Sequence, residues 1–285
     1  MKKIKIDRAK GFLSGMEKNL IFTVLMKPDV YFLGLFKSTL YIGAFTLLIS
    51  YFYVNSQYHE TKIPSTMHQV IGIVMGLLLV FRTNTSYDRW WEGRKALAEI
   101  YNCCKIFSLK IKHACQDKEI KTDLLENFKL FLFNIISYLK SDTPEKKKSF
   151  KQSKMTHLDK IYGILKDGEN EGKIPSRDMT IIENAMSELI RCVGTCDRIK
   201  NTPIPLSYSI HIKVSLFIYI LTLPFGLFYD LGMWATLLVM LVFYIVAGIE
   251  IISSEIEDPF NGDENDLPVD SLIQEVVNSL EKDLK

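Results

Sequence analysis

The sequence predicts an all-α membrane protein in which four transmembrane helices per subunit are continuous with a cytosolic helical bundle. Three observations predict it. Hydrophobic residues make up 48% of the 285 residues and charged residues 24%, yet the two are segregated into long uncharged runs and charged stretches. Several of those runs approach the roughly 20 residues that cross a hydrocarbon core of about 30 Å. In the charged stretches apolar side chains recur every three or four residues, and no strand-like alternation of useful length occurs.

The chain opens with a basic cluster, Lys2, Lys3, Lys5, Arg8 and Lys10. It runs into Asp7, Glu17 and Lys18 and not into a compact apolar core, so no cleavable signal peptide is expected. Gly11 to Phe36 is too charged to span and too apolar to be a free tail, which predicts a helix on the cytosolic membrane surface, broken near Pro28. Ser38 to Tyr58 is an uncharged run of 21 residues and the first span, with Tyr51, Tyr53 and Tyr58 placed for an interfacial aromatic belt. Ile63 to Phe81, 19 uncharged residues, is the second, with Pro64 at its start and Arg82 ending it.

Arg82 to Lys200 is the soluble part. Leu97, Ile100, Cys104, Phe107 and Ile111 predict that the second span continues past the membrane as an amphipathic helix. A helix through Leu124, Phe128, Phe131 and Ile135 follows. Asp142 to Ser153, with Lys146, Lys147, Lys148 and Lys151, reads as a solvated linker, and a short helix is expected from His157 to Leu165. Met179, Ile182, Met186, Leu189 and Val193 define a further long helix after Pro175.

Asn201-Thr202-Pro203-Ile204-Pro205 then predicts an irregular elbow, since a residue before proline is pushed away from the α region. Val214 to Tyr229, uncharged for 16 residues, spans only if Ile210, Ile212 and the stems of His211 and Lys213 are drawn in; Pro224 is expected to kink it. Leu231 to Ile249 supplies 19 residues for a fourth span. Basic residues at the N-terminus and after Phe81 put both termini and the middle section in the cytosol. The resulting division is 1–37 interfacial, 38–82 the first two spans, 83–205 cytosolic, 206–250 the last two spans and 251–285 a cytosolic tail.

The net charge of +2 gives no argument for a nucleic-acid partner. Five cysteines, all in the middle section, read as reduced thiols, and their spacing does not make a zinc site. With no Gly-rich phosphate loop, nucleophile elbow or His-Glu metal pair, an enzyme is not expected, and neither is a cofactor. Asp263, Glu264, Asp266 and Asp270 form the only dense oxygen cluster; they miss the EF-hand order and read more simply as a solvated acidic turn than as metal ligands.

The second span carries the pattern of most interest. Ile73, Leu77 and Phe81 repeat every fourth residue along one stripe, and Gly72 and Gly76 lie beside it, small enough for a neighbouring helix backbone to approach. If copies surround an axis, the stripe lines a narrow apolar pore; otherwise it faces lipid or a monomer core. His68 reads as a polar interface residue, and Arg89, Trp90 and Trp91 as an anchor where the helix leaves the membrane.

Four segments in order, SYDRWWEGRK at Ser86 to Lys95, NTPIPLSYS at Asn201 to Ser209, LPFGL at Leu223 to Leu227 and EIEDPFNGDENDLPVD at Glu255 to Asp270, together resemble the bestrophin family in its bacterial branch. The resemblance extends from about Ile63 to the C-terminus and leaves Lys140 to Lys173 unassigned. It implies a homopentameric ion channel in the bacterial inner membrane, assembled around one axial pore. It also implies a pore neck at Ile73, Leu77 and Phe81 and a lower constriction at Ile204. Val74 replaces a proline of the animal members, Leu77 stands where they have Phe, and Asn265 interrupts their acidic run, so calcium gating is not carried over. The function expected is conduction of monovalent ions, with cations (Na+ or K+) preferred because the chain resembles the bacterial branch. The alternatives are an anion (chloride) channel of the same build and a non-conducting membrane scaffold.

Overall fold

The computed structural model describes residues 30–55, 64–141, 144–262 and 265–284. Among them the regular structure is helical throughout: α1 Val30–Asn55, α2 Ser65–Ala114, α3 Lys118–Leu139, α4 Pro144–Asn170, α5 Ser176–Asn201, α6 Leu206–Leu231, a 3-10 turn Gly232–Trp234, α7 Ala235–Ile256 and α8 Val269–Leu284. The interfacial helix expected before Pro28, and the basic cluster, lie outside the described residues. Three helical stretches are long and apolar enough to cross a membrane, Leu33–Tyr53, Ser65–Ala114 and Leu206–Ile256, and the 3-10 turn divides the last between α6 and α7.

Two of the sequence expectations need correction. The first apolar helix begins at Val30, ahead of Ser38, because Lys37 is tolerated as one exposed charge near its end. Pro144–Asn170 is one helix and not a linker followed by a short helix. Proline is at ease in a first helical turn, and the Lys and Glu residues that follow are good helix formers, so only the half ahead of Leu158, Ile161 and Leu165 lacks the apolar period that announces the rest.

The chain forms two compact units: residues up to Leu79 together with His211–Glu250, and Val80–Ile210 together with Ile251 onwards. In the first unit polarity is inverted relative to a soluble bundle. The face of α1 turned inward carries Leu35, Thr39, Gly43, Thr46 and Ser50, while Phe36, Tyr41, Leu48 and Phe52 are exposed. Thr39 and Thr46 satisfy their hydroxyls on the carbonyls of Leu35 and Ile42, each at 2.8 Å. Small residues let α7 approach: a Cβ on Gly43 would stand 2.6 Å from Met240 Sδ. Helix α6 runs on through Pro224 without a break. Lys213 Nζ lies 3.7 Å from the buried Glu250, which gives the charge drawn in on α6 a partner on α7.

In the second unit the ordinary rule returns. The apolar stripes of α2 beyond Val80, α3, α5 and α8 close one core, in which the rings of Phe107 and Phe128 are 4.3 Å apart. Asp117 caps α3, accepting from the amides of Glu119 and Ile120 at 2.9 and 3.3 Å. Gly172, with φ 72°, turns the chain out of α4 so that the amides of Lys173 and Ile174 both reach the carbonyl of Gly168.

Candidate functional site

The elbow and the helix ends around it form a densely hydrogen-bonded site in the second unit. Helix α5 stops at Asn201, where Thr202 leaves helical geometry at φ −122° and ψ 72°, and α6 resumes at Leu206. Prolines cannot donate backbone hydrogen bonds, so between Thr202 and Leu206 the only amide donor is that of Ile204. It donates to Glu257 Oε1 at 3.1 Å. The other oxygen of the same carboxylate, Oε2, receives Arg82 Nη2 at 2.6 Å. Arg82 is 1% exposed and Glu257 15%, so the pair sits largely out of water.

Arg89, two turns below Arg82 on α2, braces the same segment from its other side. Its Nε donates to the carbonyl of Glu257 at 2.9 Å, Nη1 to that of Thr202 at 2.6 Å and Nη2 to that of Ile199 at 2.7 Å. Three of the five N–H groups of Arg89 are thus given to carbonyls of its own chain. Thr83 and Ser253 join their hydroxyls at 2.8 Å, pinning the end of α7 beside Arg82. Above the elbow, Asn201 bonds Asp197 Oδ1 at 2.8 Å, and Asp197 also accepts from Tyr138 Oη. Burial, and then Asp197, push the Tyr138 hydroxyl up to about 12, so it stays a donor at neutral pH. Lys200, itself buried, donates to the carbonyl of Leu139 at 2.7 Å.

Sequence reasoning found Ile204 and missed Glu257 and Arg82 as its supports. A signal was present for the cations alone: Arg82 and Arg89 are seven apart, hence on one face of α2, just after an apolar run.

The apolar stripe of α2 points away from its own chain. Ile73 is 74% exposed and Leu77 56%; Phe81, which belongs to the second unit, is 54% exposed. Within the first unit Gly72 is abutted by α6, since a Cβ there would lie 2.8 Å from Tyr219 Oη, whereas Gly76 faces open space. Gly72 therefore serves packing within its own chain, and of the two glycines Gly76 is the one with open space beside it. An open groove of about 530 Å³ beside them is lined by Gly72, Ile73, Gly76, Tyr219, Val242 and Ile245, among others. His68 packs on Gly226, where a Cβ would stand 2.6 Å from its Nδ1, which accounts for the glycine of LPFGL.

Of the tail carboxylates, Asp263 and Glu264 lie outside the described residues. Asp266 accepts from the amide of Gly262 at 2.6 Å, closing a turn in which Gly262 adopts φ 99°, and Asp270 is paired with Lys140. The tail's Pro259, Phe260 and Leu267 pack on Gly93, each within 3.3 Å of where its Cβ would be, and Trp90 Nε1 donates to the carbonyl of Asn265 at 3.2 Å. The DRWWEG and DPFNG segments are thus two halves of one packed junction.

Comparison with known proteins fits this geometry. The family model for bacterial and fungal bestrophin proteins matches residues 23–282, which takes in the segment from Lys140 to Lys173 that motif reading leaves unassigned. The chain belongs to the bestrophin family. This bestrophin chain is 34% identical over 262 residues to a voltage-dependent anion channel-forming protein of Nostoc sp., a match covering 84% of this chain and 83% of that one. A protein of the same description from Synechocystis sp. is also 34% identical, over 78% of each chain. A crystal structure of a bacterial bestrophin homologue from Klebsiella pneumoniae superposes with a TM-score of 0.76 at 19% identity, covering 86% of this chain and 98% of that one. The all-α membrane fold expected from the sequence is therefore the fold of a bestrophin, and the family is one of channels.

Proposed function

We propose that this chain is the subunit of a homopentameric channel for monovalent anions, with four spans per subunit, an apolar neck at Ile73, Leu77 and Phe81 and a lower constriction at Ile204. The observation that carries the reading is the stripe on α2: three large apolar side chains at four-residue spacing, each more than half exposed on the single chain. Residues lining a hole between copies must be uncovered in one copy, and Gly76 leaves room beside them for the next subunit. The bacterial-branch resemblance prefers cations, but the names carried by the Nostoc and Synechocystis relatives favour anions, and the anion reading is adopted.

An apolar ring passes ions only when wide enough to stay wet, so the neck sets opening and Ile204 filters ions on the cytosolic side. Selectivity then rests on the cost of dehydration and on charges lining the wider chambers. With the N-terminus and the second unit in the cytosol, the location is the bacterial inner membrane.

The test is a bilayer recording of the purified, reconstituted chain in asymmetric NaCl. A reversal potential near that of chloride supports the anion channel, one near that of sodium returns the cation reading, and no current at all favours a non-conducting scaffold. A detergent-corrected mass other than five subunits removes the pentamer. Ile204→Ala is expected to enlarge the current and relax selectivity, and an unchanged conductance and reversal potential would remove Ile204 as the filter.

A further inference from the structure

Between Thr202 and Leu206 the elbow has a single donating backbone group, and that group is held by a carboxylate that also grips another helix. Pro203 and Pro205 lack N–H groups, so the Ile204 amide alone can fix the segment through a donated bond. Its acceptor is not a neighbouring carbonyl but Glu257 Oε1, at 3.1 Å. Glu257 Oε2 meets Arg82, which follows Phe81 directly on α2. Among the described residues Nε and Nη1 of Arg82 have no hydrogen-bond partner, so Glu257 is where this buried guanidinium makes its contact. The carboxylate is planar and both of its oxygens carry charge-assisted bonds, so it behaves as a short rigid link. Arg89 holds the carbonyls of Thr202 and Glu257, closing the link from the other side.

We propose that Glu257 is the positioning residue of the lower constriction: it ties the backbone of Ile204 to Arg82 at the foot of the pore helix, so that displacement of α2 there is transmitted to the filter. The inference rests on the reading of Ile204 as the constriction. It adds a regulator to that reading, namely a carboxylate outside the permeation path that sets the width of the path through one amide. An ordinary brace would use the same ion pair to hold the fold together, but it would leave the permeating ions indifferent to whether the pair is made.

The experiment uses the full chain, reconstituted in planar bilayers under asymmetric NaCl, and compares wild type, Glu257→Ala, Glu257→Gln, Ile204→Ala and the corresponding double variants. Conductance and permeability ratio are read on protein that has kept its native oligomer size. Glu257→Ala frees both contacts and is expected to change the permeability ratio about two-fold or more, and to add nothing once Ile204 is already Ala, because coupled residues are not additive. Glu257→Gln keeps an acceptor for the Ile204 amide but places an NH2 group against Arg82. It is expected to shift the ratio in the same direction by less, and it decides the matter if the alanine variant does not assemble. Wild-type permeation in the Glu257 variants, or equal effects of those variants with and without Ile204, overturns the link. If Ile204→Ala by itself changes nothing, the constriction fails and the link with it; if it does change permeation but the double variants are additive, the link alone fails.

Discussion

Nη2 of Arg82 lies 2.6 Å from Oε2 of Glu257, joining the residue that ends the apolar run of α2 to the first residue beyond α7. With 1% and 15% exposure, the pair is one whose halves cannot be separated cheaply. Arg82→Met leaves the carboxylate without its cation, which costs on the order of 3 kcal/mol for a buried ion pair. The expected result is a clear fall in the thermal midpoint of the detergent-solubilised protein. Replacing both partners, as Arg82→Met with Glu257→Gln, removes the desolvated charges together while keeping an acceptor for the Ile204 amide, and is expected to recover much of that loss. A double variant as unstable as the sum of its parts would show that the two side chains do not act on each other.

The neck stripe calls for the opposite outcome. Leu77 is 56% exposed and contributes little to the packing of its own chain, so Leu77→Ala is expected to change subunit stability by no more than about 0.5 kcal/mol. If the stripe is the neck proposed above, its effect belongs to the wetting of the pore: a smaller side chain widens an apolar ring, and the closed state should leak. Single-channel recording checks it. A wild-type open probability would take Leu77 out of the gate.

The cysteines make a test of the core. All five are buried and free, and burial pushes the Cys196 thiol up to about 12 and raises that of Cys192. At pH 8 such groups hold almost no thiolate, which is the reactive form. Alkylation of the native protein at pH 8 is therefore expected to leave Cys192 and Cys196 unmodified, with full labelling appearing only in denaturant. Mass spectrometry after a timed maleimide pulse measures it, and rapid native labelling at Cys196 would contradict the packing of α5 described above.

How far the chain could be read from residues alone follows from what each segment buries. Ile100, Phe107 and Phe128 sit in an aqueous-type core, where apolar periodicity and burial coincide, so α2 and α3 were legible. Helix α1 has no such stripe, because its inward face carries Thr39, Gly43, Thr46 and Ser50 and its outward face Tyr41 and Phe52; length and composition make it long and apolar enough to span, but do not say which way it faces. Of Pro144–Asn170 only the part ahead of His157 was hidden, by lysines that form helix readily without marking a face. At the candidate site, the Pro-Ile-Pro sequence announces a restrained Ile204, since proline geometry is local. Its partner Glu257 is 53 residues distant, and nothing local distinguishes it from Glu255.

Asp283 supplies a prediction on acid stability. It is 8% exposed near the end of α8, where it accepts from Lys105 at 2.8 Å and from Ser108 at 2.9 Å and lies 3.4 Å from Lys112. These partners, Lys105 first, hold its carboxyl below the ordinary aspartate range. A carboxylate whose folded pKa is depressed contributes stability that is fully present above its unfolded pKa, about 3.9, and is lost as pH falls through the lower folded value. The docking of α8 should therefore be insensitive to Asp283 titration between pH 8 and about 5 and should weaken below about 4. Asp283→Asn removes the charge at every pH. It is expected to lower stability at pH 7 and to flatten the fall below pH 4, as followed by chemical denaturation across that range. Parallel stability curves for the two proteins from pH 7 to pH 3 would mean that the lysine pairs at Asp283 contribute nothing to the fold.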